Sequence, residues 1–160
     1  TKTRYTKFYV TGSGSTGGNV NGGAAATVVG YLDLPTGTDI SVDVGAGKTG
    51  KDKVGNYSRI LINGTVLARS EGAFVSVWPP SSNTEPLNSG VILLSDDRVT
   101  SGFILSGGPG GVDTDGDGSE ECTGCASFWG GTGAPGAGGA SHSNSDLIGT
   151  ADGIVMFEWT

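Results

Sequence analysis

Short runs of alternating apolar and polar residues, separated by glycine-rich breaks, recur along the chain with the two-residue period of a β-strand. Arg4–Val10 opens with alternating aromatics and stops at the glycine-rich residues 11–23. Ala24–Leu34 alternates most cleanly. Ala26, Val28, Leu32 and Leu34 share one face, and Thr27, Val29, Tyr31 and Asp33 share the other. After Pro35-Thr36-Gly37, Asp39–Val44 places Ile40, Val42 and Val44 inward and Ser41 and Asp43 outward. Tyr57–Ile62 and Thr65–Arg69 flank Asn63-Gly64, the dipeptide that best fits the positive φ angles of a type I′ hairpin. Phe74–Trp78 ends at Pro79-Pro80, which cannot continue a ladder. Val91–Ser95, Phe103–Ser106 and Ile154–Trp159 complete eight or nine short strands, and no stretch carries a helical period.

Composition agrees with this pattern. Glycine fills 31 of 160 positions, against about 7% in average usage. Gln is absent, Met occurs once and Glu five times, so helix formers are scarce. Val, Leu, Ile and Phe together supply 35 residues, just above the ~20% level below which chains tend not to fold. The core is therefore expected to be thin and supplemented by neighbouring copies. No apolar run approaches the ~20 residues of a membrane helix. No basic leader with an apolar stretch marks a signal peptide, and glycine lacks the every-third-residue period of collagen. The chain begins at Thr1 and carries its only methionine at Met156, the expectation for a processed or excised piece of something longer.

Charge divides the chain. Residues 1–70 hold eight Lys/Arg against four Asp/Glu, whereas residues 71–160 hold only Arg98 against twelve acids, for a net charge of −7. An acidic half disfavours nucleic acid, whose phosphates need clustered cations. It suits a cation ligand or a solvated, self-repelling surface.

Residues 107–141 form a loop region within one domain spanning 1–160. The region holds 13 of the 31 glycines, a run of three aspartates and both cysteines. A stretch this long without strand patterning is rare inside a compact domain. It is either disordered or ordered by a metal, by packed glycine backbones or by another subunit. Asp113-Thr114-Asp115-Gly116-Asp117-Gly118 has carboxylates at positions 1, 3 and 5 and glycine at 6, which can wrap oxygen ligands around Ca²⁺. Ser119 would add its carbonyl. Position 12, where a bidentate Glu belongs, is Gly124, leaving Glu120 or Glu121 to close the shell. The alternative is an acidic turn on a solvated loop. Cys122 and Cys125 are the only cysteines, and with the single histidine His142 they are too few for a tetrahedral zinc site. A local disulfide stapling the turn is the functional reading, and two reduced thiols the plain one.

Other motifs lack their context. Gly12-Ser13-Gly14-Ser15-Thr16-Gly17 matches the dinucleotide fingerprint by letter, but no helix follows to receive a pyrophosphate. Gly45-Ala46-Gly47-Lys48-Thr49 resembles a phosphate loop, yet Val42 stands where its first glycine belongs. The reading that remains is a basic turn. Ser141 through Asp146 offers triad residue types, but neighbours in sequence do not converge as a triad must. Phe128-Trp129, set among small residues, can stack on a sugar's apolar face or anchor a partner. Burial under the glycine segment or in a subunit contact is the alternative. Trp78 and Trp159 end strands and are expected in the core or an interface.

The order of features is itself informative. Lys7-Phe8-Tyr9-Val10 runs into glycines, and residues 22–34 run into Pro35-Thr36-Gly37-Thr38. Ile40–Val44 then runs into Gly45-Ala46-Gly47, followed by Asn63-Gly64, Leu67-Ala68-Arg69, a long glycine-rich stretch and the closing Asp152 to Trp159. This set resembles the glycine-rich C-terminal domain of tailed-phage tail fibre proteins over nearly the whole chain. Two features depart from that pattern: the acidic run with the cysteine pair, and the sparser glycine between Ala73 and Ser106. The resemblance implies a homotrimeric β-rich tip at the distal end of the fibre, on the virion exterior, recognising a bacterial surface polysaccharide or other receptor.

The sequence, with that resemblance, thus predicts an all-β sandwich of short antiparallel strands with long glycine-rich loops, homotrimeric, without a nucleic-acid partner and without membrane insertion. It is expected to act as a non-enzymatic receptor-binding tip with Phe128, Trp129 and His142 at the receptor. A calcium ion on Asp113, Asp115, Asp117, Ser119 and Glu120 is the candidate cofactor, and Cys122–Cys125 the candidate disulfide. The rivals are a small capsular polysaccharide depolymerase using acids of the 113–121 run, and a purely structural fibre-capping module.

Overall fold

The computed structural model describes residues 4–16, 22–50, 54–73, 90–92, 99–105, 107, 126–130, 134–138 and 150–159. They form eight strands: β1 (Arg4–Thr11), β2 (Thr27–Leu34), β3 (Ile40–Asp43), β4 (Ser58–Ile62), β5 (Thr65–Ser70), β6 (Gly90–Ile92), β7 (Val99–Leu105) and β8 (Ile154–Trp159). Two four-stranded sheets result, in the orders β7-β2-β1-β8 and β3-β4-β5-β6, with every pairing antiparallel. No helix occurs among the described residues.

The sheets pack face to face, β1 against β4 and β5, β2 against β5 and β6. Alternation decides what lies between them. Phe8 and Val10 from β1, Val28, Leu32 and Leu34 from β2, Ile60 and Ile62 from β4, and Leu67 and Ala68 from β5 form the buried core. Ile40, Val155 and Phe157 close its margin, partly buried. Fully burying a side chain of this size contributes about 1.5–3 kcal/mol.

The β4–β5 hairpin turns at Asn63 (φ 48°) and Gly64 (φ 77°), the left-handed pair that its sequence predicts. A bulge interrupts the hairpin. Ile60 pairs with Ala68 and Leu61 with Val66, so Leu67 is the extra residue. Both Leu67 and Ala68 are buried, which strict alternation would forbid.

Three expectations need correction. Ala24–Ala26 are buried but lie outside the ladder, because β2 begins at Thr27. Val42 and Val44 are 43% and 49% exposed, since β3 is an edge strand with little opposite to cover it. Trp159 is 59% exposed at the end of edge strand β8, which removes the core from its two expected places and leaves the interface. Phe74–Trp78 lies outside the described residues.

Beyond one end of both sheets the strands continue as extended, glycine-rich segments. Residues 12–16 prolong β1, 22–26 lead into β2, 44–48 prolong β3, 54–57 lead into β4, 71–73 prolong β5 and 150–153 lead into β8. Backbone meets backbone here. A Cβ at Gly12 would lie 2.7 Å from the Glu71 carbonyl oxygen, and one at Gly45 would lie 2.5 Å from that of Asn56. Main-chain bonds knit the segments, Ser13 N–H to Asn56 O (2.9 Å), Gly55 N–H to Ala73 O (2.8 Å) and Ala25 N–H to Gly136 O (2.9 Å) among them. Buried serines take the remaining amides: Ser58 Oγ accepts from Gly45 (2.9 Å), Ser15 Oγ from Gly23 (2.8 Å) and Ser13 Oγ from Asn56 (2.7 Å). Main chain and small hydroxyls thus tie the segments of this glycine-rich end to one another.

Candidate functional site

The outer face of the first sheet carries the candidate site. On β1 the outward positions are Lys7, Tyr9 and Thr11. Register places Lys7 beside Tyr31 and Glu158, Tyr9 beside Val29 and Met156, and Thr11 beside Thr27 and Ile154. Phe103 of β7 lies beyond Val29 in the same row.

Residues 127–130 fold onto this face as a tight turn. Ser127 and Gly130 exchange both backbone bonds, 2.8 and 3.2 Å, and put Phe128 and Trp129 at the corner. Ser127 Oγ accepts from the Trp129 amide (3.1 Å) and donates to the Pro135 carbonyl (2.6 Å), tying the turn to the neighbouring segment. The Trp129 indole N–H then donates to Thr11 Oγ1 (2.8 Å), and Thr11 Oγ1 is in turn bonded to Thr27 Oγ1 (2.7 Å). Three aromatic rings meet as a result. Phe128 stacks over Tyr9 at 5.9 Å and 22°, while Trp129 sits edge-on to Tyr9 at 5.4 Å and to Phe128 at 5.0 Å. Such contacts contribute about 0.5–1.5 kcal/mol each beyond area burial.

The three rings have different roles. Tyr9 is buried beneath the turn, Trp129 is half-buried, and Phe128 remains 49% exposed. Trp129 is the anchor and Phe128 the offered ring. Phe103 and Tyr31 add exposed aromatic surface on the same face. Beside Tyr9 stands a polar pair: Tyr9 Oη donates to Glu158 Oε2 (3.3 Å), and Lys7 Nζ lies 3.9 Å from that oxygen and 4.7 Å from the Tyr9 ring centroid. The Lys7 ammonium is held above its ordinary pKa, chiefly by its hydrogen bond with Tyr9, with smaller support from Tyr31 and Glu158. It is a cation throughout the neutral range.

Thr11→Val is expected to loosen the anchor. Valine keeps the shape but leaves the Trp129 N–H and the Thr27 hydroxyl without Thr11 Oγ1, at about 1–3 kcal/mol for unsatisfied buried groups. Melting should fall accordingly, and the Trp129 indole proton should exchange faster by NMR. Unchanged exchange would show that the hydrogen bond does not hold the turn.

The outer face of the second sheet differs. Arg59 and Arg69 are directly opposed and share the Tyr57 ring, at 5.2 and 4.3 Å. Arg59 pairs with Asp43 (2.5 Å) and Arg69 with Glu71 (2.7 Å), so each cation meets its own carboxylate. Exposed pairs of this kind contribute about 0–1 kcal/mol.

The glycine motifs are structural. Gly12–Thr16 is part of the packed layer. In the phosphate-loop lookalike, the Gly47 amide donates to Asp152 Oδ1 (2.6 Å) and the Lys48 amide to Thr150 Oγ1 (2.8 Å). The amides a phosphate would need are already bonded.

Of the residues singled out from sequence, Phe128 and Trp129 come together on the outer face. His142, Asp113, Asp115, Asp117, Ser119, Glu120, Cys122 and Cys125 lie outside the described residues. No cluster of three or more metal-binding side chains occurs among the described residues. Sequence reasoning passed over Lys7, Tyr9, Thr11, Tyr31 and Glu158. Their one signal was the run of large or polar residues at the outward positions of β1 and β2.

The fold and site thus define an all-β, two-sheet domain that displays an aromatic turn on one outer face. No protein-family model, curated protein or solved structure matches this chain.

Proposed function

We propose that the chain is a non-enzymatic receptor-binding tip, borne at the distal end of a tailed-phage fibre, that takes a bacterial surface polysaccharide on the outer face of the first sheet. The observation that carries this reading is the Tyr9–Phe128–Trp129 group. One ring is fixed by a partly buried hydrogen bond, a second lies beneath, and the third is half-exposed on a face that also offers Tyr31 and Phe103. A preorganised ring of this kind supplies area for a pyranose C–H face at little cost in conformational entropy. The ordered motifs from Lys7 to Trp159 supply the phage assignment. The chain's own copies are its partners in this reading. Three on one axis multiply weak sugar contacts by avidity.

Phe128→Ala tests the face. The isolated domain should bind susceptible cells and their extracted polysaccharide. The substitution should weaken single-site binding about thirty-fold, the loss expected of a hot-spot aromatic worth ~2 kcal/mol, while the loss of its two ring contacts costs about 1–3 kcal/mol and leaves the domain folded. Binding at full strength by the variant removes this face from the reading. Steady release of reducing ends from the polysaccharide replaces a binding tip with a depolymerase.

A further inference from the structure

We infer that the saccharide taken by this face is a neutral hexopyranose with adjacent hydroxyls, held by Lys7 and Glu158 acting together. The inference rests on the binding reading above and specifies the class of sugar. Lys7 Nζ and Glu158 Oε2 are 3.9 Å apart, near enough to attract and too far for a hydrogen bond. An ammonium carries three donors and a carboxylate about four acceptor sites. The Tyr9 hydroxyl bond to Glu158 and the Lys7 bond with Tyr9 use a small part of that capacity. One strong donor and one strong acceptor side by side match a vicinal diol, which accepts through one oxygen and donates through its neighbour. Both charged groups border Tyr9, the ring on which Phe128 stacks. A sugar chain over Phe128 therefore reaches them along one face.

The charge balance selects against acidic sugars. The pair is neutral, and Asp33, at the next outward position of β2 beyond Tyr31, adds a second carboxylate to the same face. A uronate or sulfated residue would meet Lys7 already neutralised and two carboxylates nearby. Like-charge juxtaposition of this kind excludes ligands more effectively than it weakens the favoured one.

The test presents immobilised neutral hexose polymers (a glucan, a mannan and a galactan) and polygalacturonate to the intact chain, with Lys7→Gln, Glu158→Gln and Phe128→Ala variants. At least one neutral polymer should be retained. Lys7→Gln and Glu158→Gln should each weaken it about tenfold or more, as expected for hydrogen bonds to charged groups. Retention should hold from ~0.01 to ~1 M salt, over which the Debye length falls from about 30 to 3 Å. Tighter binding of polygalacturonate, lost at high salt and strengthened by Glu158→Gln, overturns the neutral class. If Phe128→Ala also abolishes that binding, the aromatic face itself survives. Binding of every polymer unaltered by Phe128→Ala, or binding of none, overturns the face and the inference together.

Discussion

Gly14→Ala should leave no cooperatively folded protein. A methyl on Gly14 overlaps the Ala137 carbonyl oxygen, with the Ala137 carbonyl carbon at 2.5 Å and the Gly138 nitrogen at 2.9 Å. All three are backbone, so no rotamer change relieves the clash. The chain is pinned on both sides of Gly14. Ser13 donates to Asn56 O and accepts from the Ala73 amide, while Ser15 donates to Gly23 O. Overpacking an ordinary core costs about 1–3 kcal/mol because side chains can move aside. Here main-chain bonds must break as well, against a total stability of roughly 5–15 kcal/mol. Gly37→Ala is the control. Its φ of 88° is left-handed, but nothing lies within 4 Å of the new methyl, so the cost should stay near 1–2 kcal/mol. Matching melting curves for the two variants would show that close backbone packing does not hold this end together.

Phe8→Ala should cost about 3–5 kcal/mol, the range for deleting a fully buried aromatic. Phe8 is 0% exposed and sits in register between Gly30 and Phe157. Gly30 contributes no side chain of its own, and among the described residues Phe8 is the largest fully buried side chain, in a core cluster of nine. Collapse around the cavity is limited because both sheets are tied by their ladders. For a chain of this length the melting midpoint should fall by ~2–4 °C per kcal/mol, which thermal and denaturant unfolding can both measure. Phe8→Ala and Phe128→Ala therefore make an informative pair. The first should lose more stability and keep the binding face, and the second should lose the binding face and stay folded. A midpoint shift below ~1 kcal/mol for Phe8→Ala would move the centre of the core elsewhere.

Strand positions were legible wherever a local rule acts alone. Ile154–Trp159 is β8 to the residue, β1 runs one residue past Val10, and Asn63-Gly64 turns with both φ angles positive. Val28, Leu32 and Leu34 face the core as their spacing requires. The departures from simple alternation share a cause. Ala24–Ala26 continue the alternation of β2, yet the Ala25 amide donates to the Gly136 carbonyl and the Ala26 carbonyl accepts from Ser70 Oγ, outside any ladder. Leu67 breaks alternation because a bulge supplies an extra residue. Val42 shares the face of its core partner Ile60, as spacing predicts, yet it stays exposed at the sheet's edge, and so does Val44 past the end of β3. Each outcome depends on what lies opposite, which a strand's own letters do not encode.

The site divides along the same line. Phe128-Trp129 was conspicuous as an aromatic pair among glycines and small residues, but only the fold seats the turn on Tyr9 and assigns Trp129 to Thr11, 118 residues away. Lys7 and Glu158 meet across 151 positions through the antiparallel register of β1 and β8. The sequence by itself determined an all-β chain of short strands, with its turns and its inward faces, because period and turn chemistry are local properties. Tertiary structure alone decided which glycines were forced by backbone contact, which aromatic ring stayed outside, and which charges became neighbours. Those depend on distances between segments far apart in the chain, set when two sheets and a layer of nearly bare backbone close on one another.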